Sequence, residues 1–318
     1  MSNLTAIFVN WTKPFFHKND AEGYNKIKMS EIESDEYDII DYELLIQKVA
    51  VLRAKKHIGK TKLYTDTTGY EFYSKMDMLK LWDEIDVDIL NQFDSNNSNV
   101  IAGKFWTTGK SIVIGNQSEP FVFLDNDFIV RDELPKWIFD YDLVHTHWEI
   151  QRGDFFVSNT QIDEIGGLDD FAQNMLMPNT SFLYINSQKL CNEYLKKHLD
   201  VINRNYKHIP EWLWLLADQG IMGYSARKLD LKVESLENTI YVSYPEIDTS
   251  KVGCGPFWVK NPQHIEHQSL NYEHVWFTKH RFKTDLEYRI LRIKELENEY
   301  KLLLSEVDEN KFGKLKLI

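Results

Sequence analysis

The sequence predicts a mixed α/β fold: a mostly parallel sheet flanked by helices, followed by one long C-terminal helix. Three observations carry this. Short apolar runs alternate with helix-like stretches along the first 130 residues, the pattern that builds parallel sheets with right-handed crossovers. The run Phe121-Val122-Phe123-Leu124 ends in Asp125-Asn126-Asp127, which places two carboxylates at a strand's C-terminal tip, where ligand sites of open α/β sheets gather. Leu286, Ile290, Ile293, Leu296, Tyr300, Leu303 and Val307 recur at three- and four-residue steps, the period of an amphipathic helix.

Taken in order, Ala6 to Trp11 is a first strand and Pro14 to Asp38 a polar loop. Asp41 caps a helix with Leu45, Val49 and Leu52 on one face, stopped by Gly59. Thr61 to Asp66 is a second strand, ended by Thr67-Thr68-Gly69. A second helix is expected over Ser74–Trp82, a third strand near Ile85–Ile89, and a helix over Lys104–Asn116 before the Asp125 strand. In the second half, Asp142 to His147 is a strand, 151–170 a loop, Asn179 to Asn186 an apolar strand, and Ser187–Asn205 a helix. Trp212 to Gly220 is a short apolar helix with Asp218 and Gln219 at its end. Gly253-Cys254-Gly255-Pro256 marks a tight turn.

The chain has 318 residues, 43% of them apolar, enough for a sizeable core. Its net charge of −12 disfavours nucleic acid as a partner. An anionic substrate must then be captured by a specific feature such as a metal. No apolar run is long enough to cross a membrane. The start of the sequence lacks a secretory pattern, and Cys191 and Cys254 have no metal-type spacing. Together these predict a cytoplasmic protein.

Asp125 and Asp127, spaced i and i+2, converge on one ion only across a turn or a bent strand end. Their hard oxygens suit Mn²⁺ or Mg²⁺, which bind through one or two carboxylates plus substrate phosphates. The same Asp-Asn-Asp also suits a plain solvated turn. His145 and His147 share a strand face, and a second metal there lacks an evident third ligand.

The order of these landmarks resembles GT-A fold glycosyltransferases, most closely glycosyltransferase family 8, over about Ala6 to Arg281. Tyr64-Thr65-Asp66 resembles an early strand end near the nucleotide. Asp125-Asn126-Asp127 is similar to the family's Asp-x-Asp metal motif. Asn179 to Asn186 looks like its Asn-Ala-Gly strand, with Thr180-Ser181 in place of Ala-Gly. Asp218-Gln219 is similar to its Asp-Gln pair, and Tyr272 to His280 looks like a variant of its C-terminal metal-histidine segment.

The resemblance implies a GT-A-like catalytic domain over 1–281, with a nucleotide-sugar half to about 130 and an acceptor half from about 131. Residues 282–318 form a helical tail. It implies a metal-dependent glycosyltransferase that moves a sugar from a nucleotide-sugar, a UDP-sugar first, to a glycan or other hydroxyl acceptor, with retention. Asp125, Asp127 and His274 would hold the metal, with His267 and His280 as alternatives to His274. Lys279 or Arg281 would face the diphosphate. Gln219 would stabilise the transition state and Asp218 would position the sugar or act as base. Asn10, Trp11, Asp66, Lys110 and Asn126 would bind the donor.

Trp11 serves equally as a core side chain. Trp148 is placed for an acceptor, whereas Trp212 and Trp214 belong to the core. Two other classes remain: a nucleotidyltransferase, for which Asn10-Trp11-Thr12-Lys13-Pro14 is poor in glycine, and a sugar-binding relative without turnover. The long helix packs on its own chain or joins two copies as a homodimer.

Overall fold

The computed structural model describes residues 4–17, 35–97, 100–151, 176–204, 213, 216–243 and 257–313. The chain opens with β1 (Thr5–Asn10), the short helical turn α1 (Lys13–Phe16), α2 (Asp41–His57), β2 (Lys60–Thr65), α3 (Thr67–Lys75), β3 (Glu84–Asp86), α4 (Asp88–Asn96) and α5 (Thr108–Gly115). Then come β4 (Phe121–Leu124), β5 (Phe128–Val130), β6 (Leu143–His145), β7 (Trp148–Gln151), β8 (Met177–Pro178), β9 (Phe182–Ile185) and α6 (Gln188–Ile202). A π-helical turn, Leu216–Gly220, runs into α7 (Ile221–Lys228). β10 (Val233–Ser235), β11 (Thr239–Ser243), β12 (Phe257–Lys260), β13 (Tyr272–His274), α8 (Lys279–Thr284) and α9 (Leu286–Gly313) complete it.

Seven strands form the central sheet in the order β10-β6-β9-β4-β1-β2-β3. β9 runs antiparallel to both β4 and β6, and the other pairings are parallel. A second sheet has the order β12-β11-β7-β8, and β13 pairs with β5 alone. β4 and β9 are buried at every position because helices cover both faces of the central sheet. Alternate residues divide between two cores, as the pleat requires. Phe8, Val122, Leu124, Phe182 and Tyr184 face the core shared with α2 and α9. Ile7, Phe121, Phe123, Leu183 and Ile185 face the core built with α5, α6 and α7.

Several elements differ from the sequence reading. The third strand is Glu84–Asp86 and leads into a helix, Asp88–Asn96, that the sequence reading lacks. The helix expected over Lys104–Asn116 is Thr108–Gly115. Asp41 is the first residue of its helix rather than the cap, and Ile40 stands at the N-cap with no side-chain cap bond. The second helix is Thr67–Lys75, not Ser74–Trp82. Asp66 is its N-cap and accepts from the Gly69 amide at 2.9 Å, so Thr67-Thr68-Gly69 begins a helix rather than merely ending a strand. Gly220 does not stop a helix either, since the chain continues helical to Lys228. The expected 151–170 loop beyond Gln151, Trp212, Trp214 and the Gly253–Pro256 turn lie outside the described residues.

α9 packs along α2 on its own chain. Glu299 joins Arg53 at 2.6 Å and also Arg131, and Glu273 joins Arg131 at 2.6 Å and Arg292 at 2.5 Å. This partly buried network ties the tail to β5 and β13, the strands that carry the candidate site. Leu296 and Leu303 of α9 are buried, while Leu286, Ile290, Leu291 and Leu302 stay exposed. None of the described helices is long and apolar enough to cross a membrane.

Candidate active site

The site begins at the tip of β4. The chain turns at once, with the Phe128 amide donating to the Asp125 carbonyl at 3.0 Å. Asp125 and Asp127 therefore stand on one tight turn. The Asp125 amide is held by the Ser181 carbonyl at 2.8 Å, so neighbouring β9 fixes where the turn starts. Asn126 donates its side-chain amide to the Val9 carbonyl at 3.0 Å, which ties the turn to the end of β1.

After the turn, β5 pairs antiparallel with β13, and Phe128 stands opposite His274. Phe128 also stacks on Tyr272 at 4.6 Å between ring centres. This register delivers His274 to the turn from far downstream. The Val275 amide donates to the Asp127 carbonyl at 3.0 Å, and His274 Nε2 lies 3.8 Å from Asp127 Oδ1. One ligand atom each from Asp125, Asp127 and His274 lie within 4.8 Å of one another. Two carboxylates and an imidazole are a donor set that fits Mn²⁺ or Mg²⁺. Burial lowers the His274 pKa and keeps the ring neutral, the form that ligates.

Two lysines flank the carboxylates. Lys279 Nζ is 2.9 Å from Asp127 Oδ2 and 3.2 Å from Glu43 Oε1. Lys110, from α5, reaches under the strand tip. Its ammonium donates to Thr180 Oγ1 at 2.7 Å and to Asp125 Oδ1 at 3.2 Å, and lies 3.6 Å from Asp218 Oδ2. Burial disfavours its charge, but Asp125 and Asp218 together raise its pKa, so it stays an ammonium. Burial raises the Asp125 pKa, and Lys110 offsets part of this.

Asp218 and Gln219 sit on the π-helical turn, a local widening that often marks functional sites. Asp218 Oδ2 accepts from Thr180 Oγ1 at 3.0 Å, and Oδ1 accepts from the Tyr194 hydroxyl at 3.2 Å. Tyr194 in turn is 2.7 Å from Ser111 Oγ. One helical turn along α6, His198 Nδ1 donates to the Ala217 carbonyl at 2.8 Å while Nε2 accepts from Thr108 at 3.1 Å. Two residues of α6, spaced i and i+4 on one face, thus hold the turn from below. Gln219 Oε1 is buried and has no hydrogen-bond partner among the described residues, an acceptor available to a ligand.

The other candidates fall as follows. Asp66 is buried, and its carboxylate accepts from the Thr12 amide at 2.6 Å, the Thr12 hydroxyl and the Gly69 amide, so it joins β1 to α3. Trp11 packs edge-on to Phe93 and donates to Asp94 at 3.1 Å, which favours its core reading. Asn10 accepts from Tyr37 at 2.6 Å, and its Nδ2 is a buried donor with no partner among the described residues. His267 stacks on Trp137 and bonds Tyr141, outside the Asp125 group. The His280 side chain lies outside those described. His145 and His147 join no metal-like group among the described residues. His145 Nδ1 instead lies 3.0 Å from the His147 carbonyl, and His147 Nε2 lies 3.2 Å from Glu149 Oε1. Trp148 packs edge-on to His145, 4.2 Å between ring centres.

Sequence reasoning misses the roles of Thr180, Tyr194 and Glu149. Thr180 bridges Lys110 to Asp218. The only signal for it is its position inside the Asn179 strand motif. Glu149 is buried, yet its pKa is lowered because His147 and Asn179 outweigh the effect of burial. Neither Tyr194 nor Glu149 falls in a recognisable motif.

The family described as "Family of unknown function (DUF6734)" matches residues 26–244. No curated protein matches the sequence. Among solved structures, the chain is similar to the PaToxG glycosyltransferase at 12% identity, covering 71% of this chain and 69% of that one, with a TM-score of 0.40. It is similar to apo mouse xyloside xylosyltransferase 1 at 11% identity, covering 74% and 85%, with a TM-score of 0.38. It is also similar to a nucleoside-diphosphate-sugar pyrophosphorylase from Vibrio cholerae RC9 at 10% identity, covering 74% and 92%, with a TM-score of 0.38.

Proposed function

The chain belongs to the DUF6734 family, and we propose that it is a metal-dependent glycosyltransferase that uses a nucleotide-sugar donor. The observation that carries this reading is the convergence of Asp125, Asp127 and His274 at the tip of a central strand, joined through Lys110 to Asp218. A divalent ion held by those three residues supplies Lewis-acid neutralisation of a diphosphate leaving group. Asp125 and Asp127 would hold the ion and meet the diphosphate only through it, since carboxylates repel an anion that they face directly. Lys279, at the same carboxylate, provides a fixed positive charge beside it.

Asp218 is gripped by Thr180, Tyr194 and Lys110. A carboxylate so occupied serves better as a fixed negative charge that positions the sugar than as a base that must take up a proton. Gln219 Oε1, unpaired among the described residues, faces the anomeric centre or a sugar hydroxyl. Retention follows if Gln219 stabilises the oxocarbenium-like transition state on the leaving-group side. Asn10 Nδ2 offers the nucleobase or ribose a donor. A UDP-sugar donor and a hydroxyl acceptor complete this reading, and a cytoplasmic setting suits it.

The test is incubation with a panel of nucleotide-sugars and Mn²⁺. Free nucleoside diphosphate supports sugar transfer. Pyrophosphate would assign nucleotidyl transfer instead, and no release would leave a binding role. Asp127→Ala is expected to abolish metal-dependent turnover and Mn²⁺ binding while cooperative unfolding persists. Full activity in that variant would remove the assigned ion site.

A further inference from the structure

β7 carries a buried carboxylate that the donor chemistry leaves without a task. Glu149 is 9% exposed. Its Oε1 accepts from Asn179 Nδ2 at 2.7 Å and lies 3.2 Å from His147 Nε2. Both contacts fall on that one oxygen. Oε2 has no hydrogen-bond partner among the described residues. Oε2 is not among the fully buried polar atoms that lack a partner, so it keeps accessible surface on which a ligand or a water can meet it.

Three consecutive residues bring Glu149 to the active site. Asn179 donates to Glu149, Thr180 donates to Asp218 at 3.0 Å, and the Ser181 carbonyl holds the Asp125 amide at 2.8 Å. Asn179 cannot turn freely, because its Oδ1 accepts from the Ser181 amide at 3.1 Å and from the Ser181 hydroxyl. That leaves its Nδ2 aimed at Glu149. The β4–β5 turn and β13 deliver the metal group, whereas Glu149 comes from the separate β12-β11-β7-β8 sheet. It therefore approaches the site from an element that supplies none of the donor machinery. Alternation along β7 puts the Trp148 side chain on the other face, so Trp148 is not its partner in binding.

We propose that Glu149 binds a hydroxyl of a neutral sugar acceptor through Oε2, an inference that rests on the glycosyltransferase reading above. An ionised carboxylate oxygen accepts only, and its bond to a hydroxyl is charge-assisted. Asn179 and His147 fix Oε1, so Oε2 has a set direction before the acceptor arrives, which lowers the ordering cost of binding. The same negative charge disfavours an acidic acceptor, since like charges so placed repel.

The test uses wild type, Glu149→Gln and Glu149→Asp with Mn²⁺, a panel of nucleotide-sugars and the methyl glycosides of glucose, galactose and xylose as acceptor probes. Nucleoside diphosphate release without a glycoside measures transfer to water. Mass spectrometry of the glycoside measures transfer to sugar. Glu149→Gln keeps an oxygen for Asn179 but sets an NH₂ donor where Oε2 accepted. The expected result is a fall of about tenfold or more in the ratio of sugar transfer to water transfer. It should appear as a raised KM for the glycoside, with Mn²⁺ binding and the urea midpoint kept. Glu149→Asp retains a carboxylate and should recover part of the ratio.

An unchanged ratio in Glu149→Gln would overturn the proposal, as would equal losses of both transfers. A wild type that turns over a donor yet glycosylates no probe would overturn the assignment of a neutral sugar to this carboxylate. A wild type that releases no nucleoside diphosphate from any donor would instead remove the glycosyltransferase reading itself, and this inference with it.

Discussion

Lys110→Met removes the ammonium that stands between Asp125 and Asp218. At 3.2 and 3.6 Å, with an effective dielectric of about 20, the gross attraction is about 5 kcal/mol to each carboxylate. Burying the ammonium offsets most of that. The quantity that survives is the cost of stripping a buried pair of one member, about 3–5 kcal/mol. The Asp125 side chain is 36% exposed, so solvent screens part of the loss and the lower figure, about 3 kcal/mol, is expected. Urea unfolding in chelator-treated buffer should show a lower midpoint at an unchanged slope. Mn²⁺ should then rescue the variant more than the wild type, because the ion takes over the charge that Lys110 neutralised. Saturation at about a hundred times Kd stabilises by about 2.7 kcal/mol. Lys110→Arg should retain most of the stability. An unchanged midpoint in chelator, or an equal Mn²⁺ effect in both proteins, would refute the coupling of Lys110 to the carboxylates.

Three further outcomes are expected. Burial lowers the His198 pKa to about 4, so the unfolded chain binds this proton below about pH 6.5 and the folded chain only below about 4. Stability should therefore fall as pH drops through that window, by about 3 kcal/mol in total from this group. His198→Gln should flatten the acid limb of urea midpoints measured between about pH 7 and 4. Glu299→Gln leaves Arg53 and Arg131 without the carboxylate they share and should cost about 3 kcal/mol in urea unfolding. An unchanged midpoint would show that the network does not hold the tail. Tyr194→Phe removes a hydrogen bond to the Asp218 carboxylate, worth about 1.5–3 kcal/mol. Once a donor is identified, kcat should fall about tenfold or more with KM little changed. A change in KM alone would mean that Asp218 contributes only to binding.

Six strands of the central sheet, the paired aspartates and the C-terminal helix are legible in the sequence because each rests on local pattern, whereas β10 and the strands of the two smaller sheets are not. Four apolar residues and two acids mark a strand tip wherever it lies. A three- and four-residue apolar rhythm marks a helix even when some of its leucines stay exposed. The sequence misplaces the second helix because Asp66 resembles a strand end, and only its bond to Gly69 shows it to be a cap. Glycine commonly ends helices, which makes Gly220 read as a stop, yet here the backbone simply widens and continues.

What the amino-acid order settles alone is which groups are present: two carboxylates beside a strand, an acid–amide pair, and histidines far downstream. Which histidine meets the aspartates is a matter of β5–β13 register, and pairing between distant segments has no local signature. The same holds for Lys110, which is unremarkable along its helix. It becomes the link between Asp125 and Asp218 because α5 packs where β4 ends, so three charges share one partly buried space that no linear spacing describes.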